Sequence, residues 1–228
     1  MTSTRLPGKV LSDVGGAPLL ERMIRRVLLA RRLDAVWVAT TVNQTDNPIV
    51  LLCERLGVSV FRGDEHDVLG RYLQTAIKAA ADVIVRLTAD CPLVDPSLID
   101  RAVALYVQGD FDYVSNAVKR TYPDGLDVEV FSRAALERAF REATRPYDRE
   151  HVTPYMQGPG FRIGHLCHHI DLSHVRWTVD VAEDLEVVRR LFTSLQEGFT
   201  WEQALALAST NPELLGQPAP TGGTAAGA

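Results

Sequence analysis

Three short apolar runs rich in β-branched residues, at 35–40, 58–61 and 82–88, alternate with amphipathic stretches along the first half of the chain. That alternation constrains the fold more than any other feature. Strand and helix following one another through short connections predict a parallel sheet with helices on its faces. The first helix is expected over 18–31, where Leu19, Leu20, Met23, Ile24, Val27 and Leu28 recur at three- and four-residue spacing. Helices follow over 46–56, 67–81 and 96–108. The first of these has Asp46 or Asn47 as cap, Pro48 near its start and Gly57 as its stop, and the last is closed by Gly109.

The second half is less regular. Strands are expected at 111–115 and 127–131, around a Lys-Arg-Thr-Tyr-Pro-Asp-Gly loop. Helices are expected at 133–143 and 148–156, the latter interrupted by Pro154. Strands at 161–170 and 175–179 precede closing helices at 182–195 and 201–208. From 211 onward Pro, Gly, Thr and Ala predict a disordered tail, leaving a domain over 1–210.

Composition narrows the function classes. A chain of 228 residues with 46% apolar and 23% charged residues can bury a core of one large domain. A formal charge of −5 disfavours non-specific nucleic-acid binding. An odd number of cysteines, Cys53, Cys91 and Cys167, in apolar surroundings points to a reducing compartment. No run approaches the roughly 18 apolar residues of a membrane span. The polar N-terminus lacks the apolar core of a signal peptide. The expectation is a cytoplasmic protein without a nucleic-acid or membrane partner.

The first sixteen residues carry the clearest ligand chemistry. Pro7-Gly8 bends the backbone, and Gly8 permits positive φ and close approach of a ligand. Ser3, Thr4, Arg5 and Lys9 surround that bend with hydroxyls, a fork and a point charge, a set suited to polyphosphate. Lysine occurs only at Lys9, Lys78 and Lys119 among 24 basic residues. A compact ammonium in an Arg-preferring chain suggests a specific use for Lys9. A solvated loop is the plainer alternative.

Two carboxylates fall at predicted strand ends, where open α/β sheets bind ligands. Asp90 follows the third strand, and Asp180 follows the run at 175–179. Each alone also fits a turn or cap, but together, opposite a basic loop, they suit phosphate transfer with Mg²⁺. Asp95, before Pro96, reads as a helix cap, and Asp180-x-x-Glu183 has capping-box spacing. His165, Cys167 and His169 would share one strand face, which is read as a polar face rather than a zinc site.

Six ordered motifs then carry a resemblance. They are Ser3-Thr-Arg-Leu-Pro-Gly-Lys9, Asp67-Val-Leu-Gly-Arg71-Tyr, Arg86-Leu-Thr-Ala-Asp90-Cys-Pro-Leu-Val-Asp95-Pro, Asp124-Gly-Leu-Asp127-Val-Glu129-Val-Phe, Arg149-Glu-His151-Val-Thr-Pro and Thr178-Val-Asp180-x-x-Glu-Asp-Leu. The set resembles the SpsF-type cytidylyltransferases of spore-coat and surface polysaccharide biosynthesis, relatives of the acylneuraminate and 3-deoxy-manno-octulosonate enzymes. The similarity runs to about 207. It implies a Rossmann-like nucleotide-diphospho-sugar transferase fold with a mostly parallel central sheet flanked by helices. It implies a Mg²⁺-dependent enzyme that joins CTP to a sugar and releases pyrophosphate. By motif, Ser3, Arg5, Gly8 and Lys9 would hold the triphosphate, with Lys9, Arg5 and Asp90 serving the chemistry. Arg71 would lie near the nucleotide, Asp90 and Asp180 would ligate Mg²⁺, and Asn116, Asp127, Glu129 and His151 would face the sugar. A homodimer through the irregular half is also implied.

The chain departs from the family at its start. Members carry an apolar strand and Ala-Arg before the Ser-Thr-Arg run, where this sequence has Met1-Thr2. With strands about 4.8 Å apart, a missing central strand leaves a slot about twice that wide, edged by unpaired backbone. Either the start is assigned too late, or this is a short form whose sheet is rearranged or completed by a partner. Ala89 also replaces a usual Gly. Two other functions remain open at this stage: transfer to a sugar phosphate or phosphonate, and a non-catalytic nucleotide-binding homologue.

Overall fold

A computed structural model describes residues 5–216. The expected alternation is present. Helix α1 (Leu19–Val27) leads to β1 (Trp37–Thr41), α2 (Asn47–Leu56), β2 (Ser59–Gly63), α3 (Val68–Lys78), β3 (Val83–Arg86) and α4 (Pro96–Gln108). The second half contains β4 (Tyr113–Ser115), β5 (Glu129–Ser132), α5 (Arg133–Glu142), α6 (Pro146–His151), β6 (Ile163–His165), α7 (Ala182–Ser194) and α8 (Trp201–Thr210).

Local chemistry sets several boundaries. Asp95 caps α4, its carboxylate accepting from the Ser97 amide at 2.9 Å, with Pro96 in the first turn. Gly57 ends α2 in the left-handed conformation. Thr200 and Gln203 form a reciprocal capping box on α8.

The strands form two groups. β1 and β2 pair in parallel, and β3–β5–β4–β6 make a four-stranded sheet. In the larger sheet β3, β4 and β6 point one way and β5 runs against them. Among the described residues β1 pairs only with β2, and β3 only with β5. Trp37, Val38 and Ala39 of β1 and Val83, Ile84 and Val85 of β3 line a shared cavity of about 750 Å³, with Ile24 of α1 and Tyr72 of α3 also lining it. Among the described residues, no strand joins β1 to β3 across this cavity.

The largest core cluster packs α1, α4, α7 and α8 against the larger sheet and the loops behind it, around Leu98, Val128, Trp177 and Trp201. A second joins α3 and α5 through Leu69, Phe131 and Leu136. Burial at this scale is the main stabilising term for such a domain.

Three expectations need correction. The run at 175–179 is not a strand of either sheet: it lies extended along loops, with a lone bridge from Arg176 to Asp124 and a bond from the Val179 amide to the Asp90 carbonyl. Alternating apolar residues made it read as a strand, but its backbone partners are loop groups. The helix expected at 148–156 breaks at Val152, whose φ is 72°, and resumes as a 3-10 turn over Pro154–Gln157. The strand expected at 161–170 ends at His165, so the alternate facing of Cys167 and His169 is not built. His168 instead packs its ring against Tyr122 and Trp201.

Residues 211–216, where the tail was expected to begin, are packed: Leu214 is buried, and its carbonyl accepts from the Trp177 indole at 2.8 Å. Residues 217–228 lie outside the described residues, as do Ser3 and Thr4. Among the described residues no helix is long and apolar enough to cross a membrane.

Candidate active site

Three distant segments meet at one ammonium group. Gly8, at φ 73° and ψ 9°, turns the N-terminal loop into a 3-10 turn over Lys9–Leu11, as its predicted positive φ requires. Lys9 Nζ then donates to Asp90 Oδ2 at 3.1 Å, to the Val179 carbonyl at 2.6 Å and to Asp180 Oδ1 at 3.2 Å. Asp90 stands in the turn after β3, and Asp180 stands just before α7. Arg5 adds a fourth contact, reaching Asp180 Oδ1 at 2.9 Å from a half-exposed position.

The two carboxylates are held from behind. The Arg176 guanidinium is buried and donates to Asp180 Oδ2 at 2.7 Å and to Asp184 Oδ1 at 2.6 Å. Asp184 Oδ2 in turn accepts from the amides of Asp180 and Val181. The capping role expected of Asp180 and Glu183 thus belongs to Asp184, while the Asp180 side chain turns to Lys9, Arg5 and Arg176. Burial pushes the Asp90 carboxyl upward, but Lys9 and the Thr88 hydroxyl outweigh it and hold the group below its ordinary value. Cys91, beneath Asp90, has its thiol pushed well up by burial and by the neighbouring Asp90 charge.

Beside this centre lies a cavity of about 950 Å³ at the ends of β1 and β2, lined by Thr40, Thr41, Asp46, Ala89 and Arg149. Arg71 also lines it. Its Nη1 donates to the Asp64 carbonyl at 2.6 Å, while its Nε is buried without a hydrogen-bond partner. Burial lowers the Arg71 pKa.

The residues expected to face a sugar are placed less uniformly. Asp127 forms a two-pronged pair with Arg120, at 2.5 and 2.7 Å. Nearby Asp124 accepts from Thr178 Oγ1 at 3.2 Å, and burial raises its pKa. Gly125 sits at φ 103°, where a side chain would strike the backbone of Trp177 and Thr178. Asn116 is buried and bonds the Leu126 carbonyl and the Val128 amide, closing that loop. Glu129 is buried too, bonded to Arg86 and to the Tyr113 hydroxyl. His151 is exposed at the end of α6, with its ring 4.3 Å from that of Tyr147. The structure thus brings Arg5, Lys9, Asp90 and Asp180 together, sets Arg71 on the wall of the adjoining cavity, pairs Asp127 with Arg120, and uses Asn116 and Glu129 inside the scaffold. Arg176, Asp184 and the Val179 carbonyl were not anticipated. Arg176 alone left a trace in sequence, four and eight residues before its two carboxylates.

A two-carboxylate centre beside a basic loop and a nucleotide-sized cavity defines a nucleotidyltransferase-like site. The cytidylyltransferase family profile spans residues 1–200. The spore coat polysaccharide biosynthesis protein SpsF of Bacillus subtilis is 33% identical over 226 residues, covering 93% of this chain and 92% of that protein. A 3-deoxy-manno-octulosonate cytidylyltransferase of a Psychrobacter species is 28% identical over 220 residues, covering 83% and 77% respectively. The solved structure of a cytidylyltransferase from Leptospira borgpetersenii superposes with a TM-score of 0.91 at 33% identity, covering 97% of this chain and 95% of its own. The chain belongs to the cytidylyltransferase family. Its fold is Rossmann-like and its reaction is nucleotidyl transfer.

Proposed function

We propose that this protein transfers CMP from CTP to a sugar or sugar acid and releases pyrophosphate, in the assembly of a surface glycan. The observation that carries this reading is the convergence of Asp90, Asp180 and the Val179 carbonyl on one cation, beside Arg5 and the Gly8 turn. The names of the Bacillus and Psychrobacter relatives support a glycan context.

The donor set fits Mg²⁺. Two carboxylate oxygens and a carbonyl oxygen already surround a single positive charge, and Mg²⁺ takes oxygen ligands of this kind together with phosphate. Asp90 and Asp180 would hold it, and when bound it supplies charge neutralisation at the phosphates and a lowered pKa for the attacking hydroxyl. The chain's own groups account for the rest. Arg5 and Lys9 balance the charge of the leaving pyrophosphate. Arg71, on the wall of the 950 Å³ cavity, would contact the nucleotide there. Arg176 fixes the direction of Asp180, so that Oδ1 faces the cleft. Asp127, oriented by Arg120, would accept a hydrogen bond from an acceptor hydroxyl. We further propose a homodimer formed through the second half, where Val118, Tyr147 and Ile170 are exposed. Light scattering after gel filtration tests that point.

The principal test is pyrophosphate release with each of the four nucleoside triphosphates, against a panel of sugar acids and amino sugars. Release with CTP that needs Mg²⁺ and one class of acceptor is expected. Equal release with a purine triphosphate would sink the assignment.

A further inference from the structure

We propose that Lys9 is an exchangeable stand-in for the divalent cation: its ammonium occupies the metal's oxygens in the resting protein and leaves them when the metal enters. This rests on the metal-site reading given above. An ammonium has three N–H donors and no acceptor. All three are engaged here, on Asp90 Oδ2, the Val179 carbonyl and Asp180 Oδ1. In this arrangement Lys9 has no donor left for a phosphate, so its role toward pyrophosphate requires that it first let go.

Lys9 is also the only basic group so placed among the described residues around these carboxylates. Arg5 touches Asp180 alone and its side chain is 54% exposed. Arg176 is buried and tied to Asp184, so it stays as scaffold. Lys9 bridges both carboxylates from a position only 13% exposed, on a flexible four-carbon stem. A fixed arginine fork could not vacate the oxygens in this way. The exchange keeps two adjacent carboxylates neutralised when no metal is present, and it supplies a phosphate-binding cation once the metal has arrived.

The idea predicts self-competition. Removing the ammonium should increase the affinity of the centre for a metal ion alone, because a unit charge a few ångströms away opposes a divalent ion strongly even in a wet cleft. Mn²⁺ binding is followed by the electron paramagnetic resonance of free Mn²⁺, without nucleotide, for the unchanged protein, Lys9→Met, Asp90→Asn and the double variant. Lys9→Met is expected to bind Mn²⁺ about tenfold more tightly, a gain lost in the double variant. As a readout independent of titration, Mn²⁺ should raise the melting temperature of Lys9→Met and Lys9→Gln more than that of the unchanged protein.

Equal or weaker Mn²⁺ binding by Lys9→Met overturns the exchange. If Asp90→Asn then still removes Mn²⁺ binding and pyrophosphate release, the metal site stands and only the exchange falls. If no variant binds Mn²⁺ and Asp90→Asn releases pyrophosphate normally, both fall together.

Discussion

Two ionic clusters in this molecule are built from similar groups and differ in what surrounds them. Around Lys9, Asp90 and Asp180 the side chains are 13 to 28% exposed and the partners come from loops. Around Arg86, Glu129 and Tyr113 the groups sit on paired strands, with Arg86 directly opposite Glu129 in the sheet register and Tyr113 buried beside them. Burial and the Glu129 charge push the Tyr113 hydroxyl far above its ordinary value. The first cluster is carried by loops beside the 950 Å³ cavity, with Asp90 28% exposed, so a ligand can replace a partner. In the second, strand pairing fixes both partners and Glu129 is only 8% exposed, so losing either partner leaves a charge held in place without its counter-ion. Ionic residues in one fold thus divide according to whether loops or paired strands carry them.

Four experiments sharpen or break that contrast. The largest effect is expected for Asp90→Ala, which should lower Mg²⁺-dependent pyrophosphate release by about a thousandfold or more while the thermal transition remains cooperative. Release near the unchanged rate would remove Asp90 from the chemistry. Glu129→Ala should act in the opposite way. It strands Arg86 and should cost about 3–5 kcal/mol in urea unfolding, with turnover per folded molecule largely kept. A stable Glu129→Ala protein with an altered acceptor preference would move Glu129 into the sugar site.

Arg176→Met lies between the two classes, since it anchors Asp180 from the buried side. It should lose about 3 kcal/mol of stability, because the buried Asp184 loses its counter-ion. It should also weaken Mn²⁺ binding. Normal metal affinity in a folded Arg176→Met protein would show that Asp180 needs no positioning.

The smallest effect concerns Asp46 on the wall of the larger cavity. Burial alone would raise its carboxyl, but bonds from the Thr40 and Thr41 hydroxyls and the Thr41 amide bring it down to about 2. A depressed carboxyl stabilises the fold above its unfolded value near 4 and loses that contribution as the pH falls toward 2. Asp46→Asn should therefore be less stable than the unchanged protein by about 2 kcal/mol at neutral pH, with the gap closing between pH 4 and pH 2. A gap independent of pH would assign the loss to packing.

Much of the frame was legible because its signals are local. The apolar stripe of α1, the Pro and Gly at the ends of α2, and Asp95 before Pro96 each act within a few residues, and each formed where expected. The turn at Gly8 was legible for the same reason. The run at 175–179 misled because alternation reports which faces are buried and not which backbone supplies the hydrogen bonds. The inward use of Glu129 was hidden because its motif places it in sequence beside Asp127, and only the pairing of β5 with β3 turns it onto Arg86; Asn116 turns inward to bond the Leu126 carbonyl and the Val128 amide.

By itself the sequence determined the alternating α/β frame, the phosphate-suited loop and the two acidic positions, because periodicity, caps and turns are properties of short segments. The tertiary structure decided which charges meet. Lys9 reaches Asp90 across 81 positions and Asp180 across 171, and no local rule governs contacts at that range. It also decided that Arg176 and Asp184 hold Asp180 from behind, and that the sheet divides between β1 and β3 around a cavity. The physical reason is that such contacts depend on where packing of the core carries each segment, and packing is a property of the whole chain.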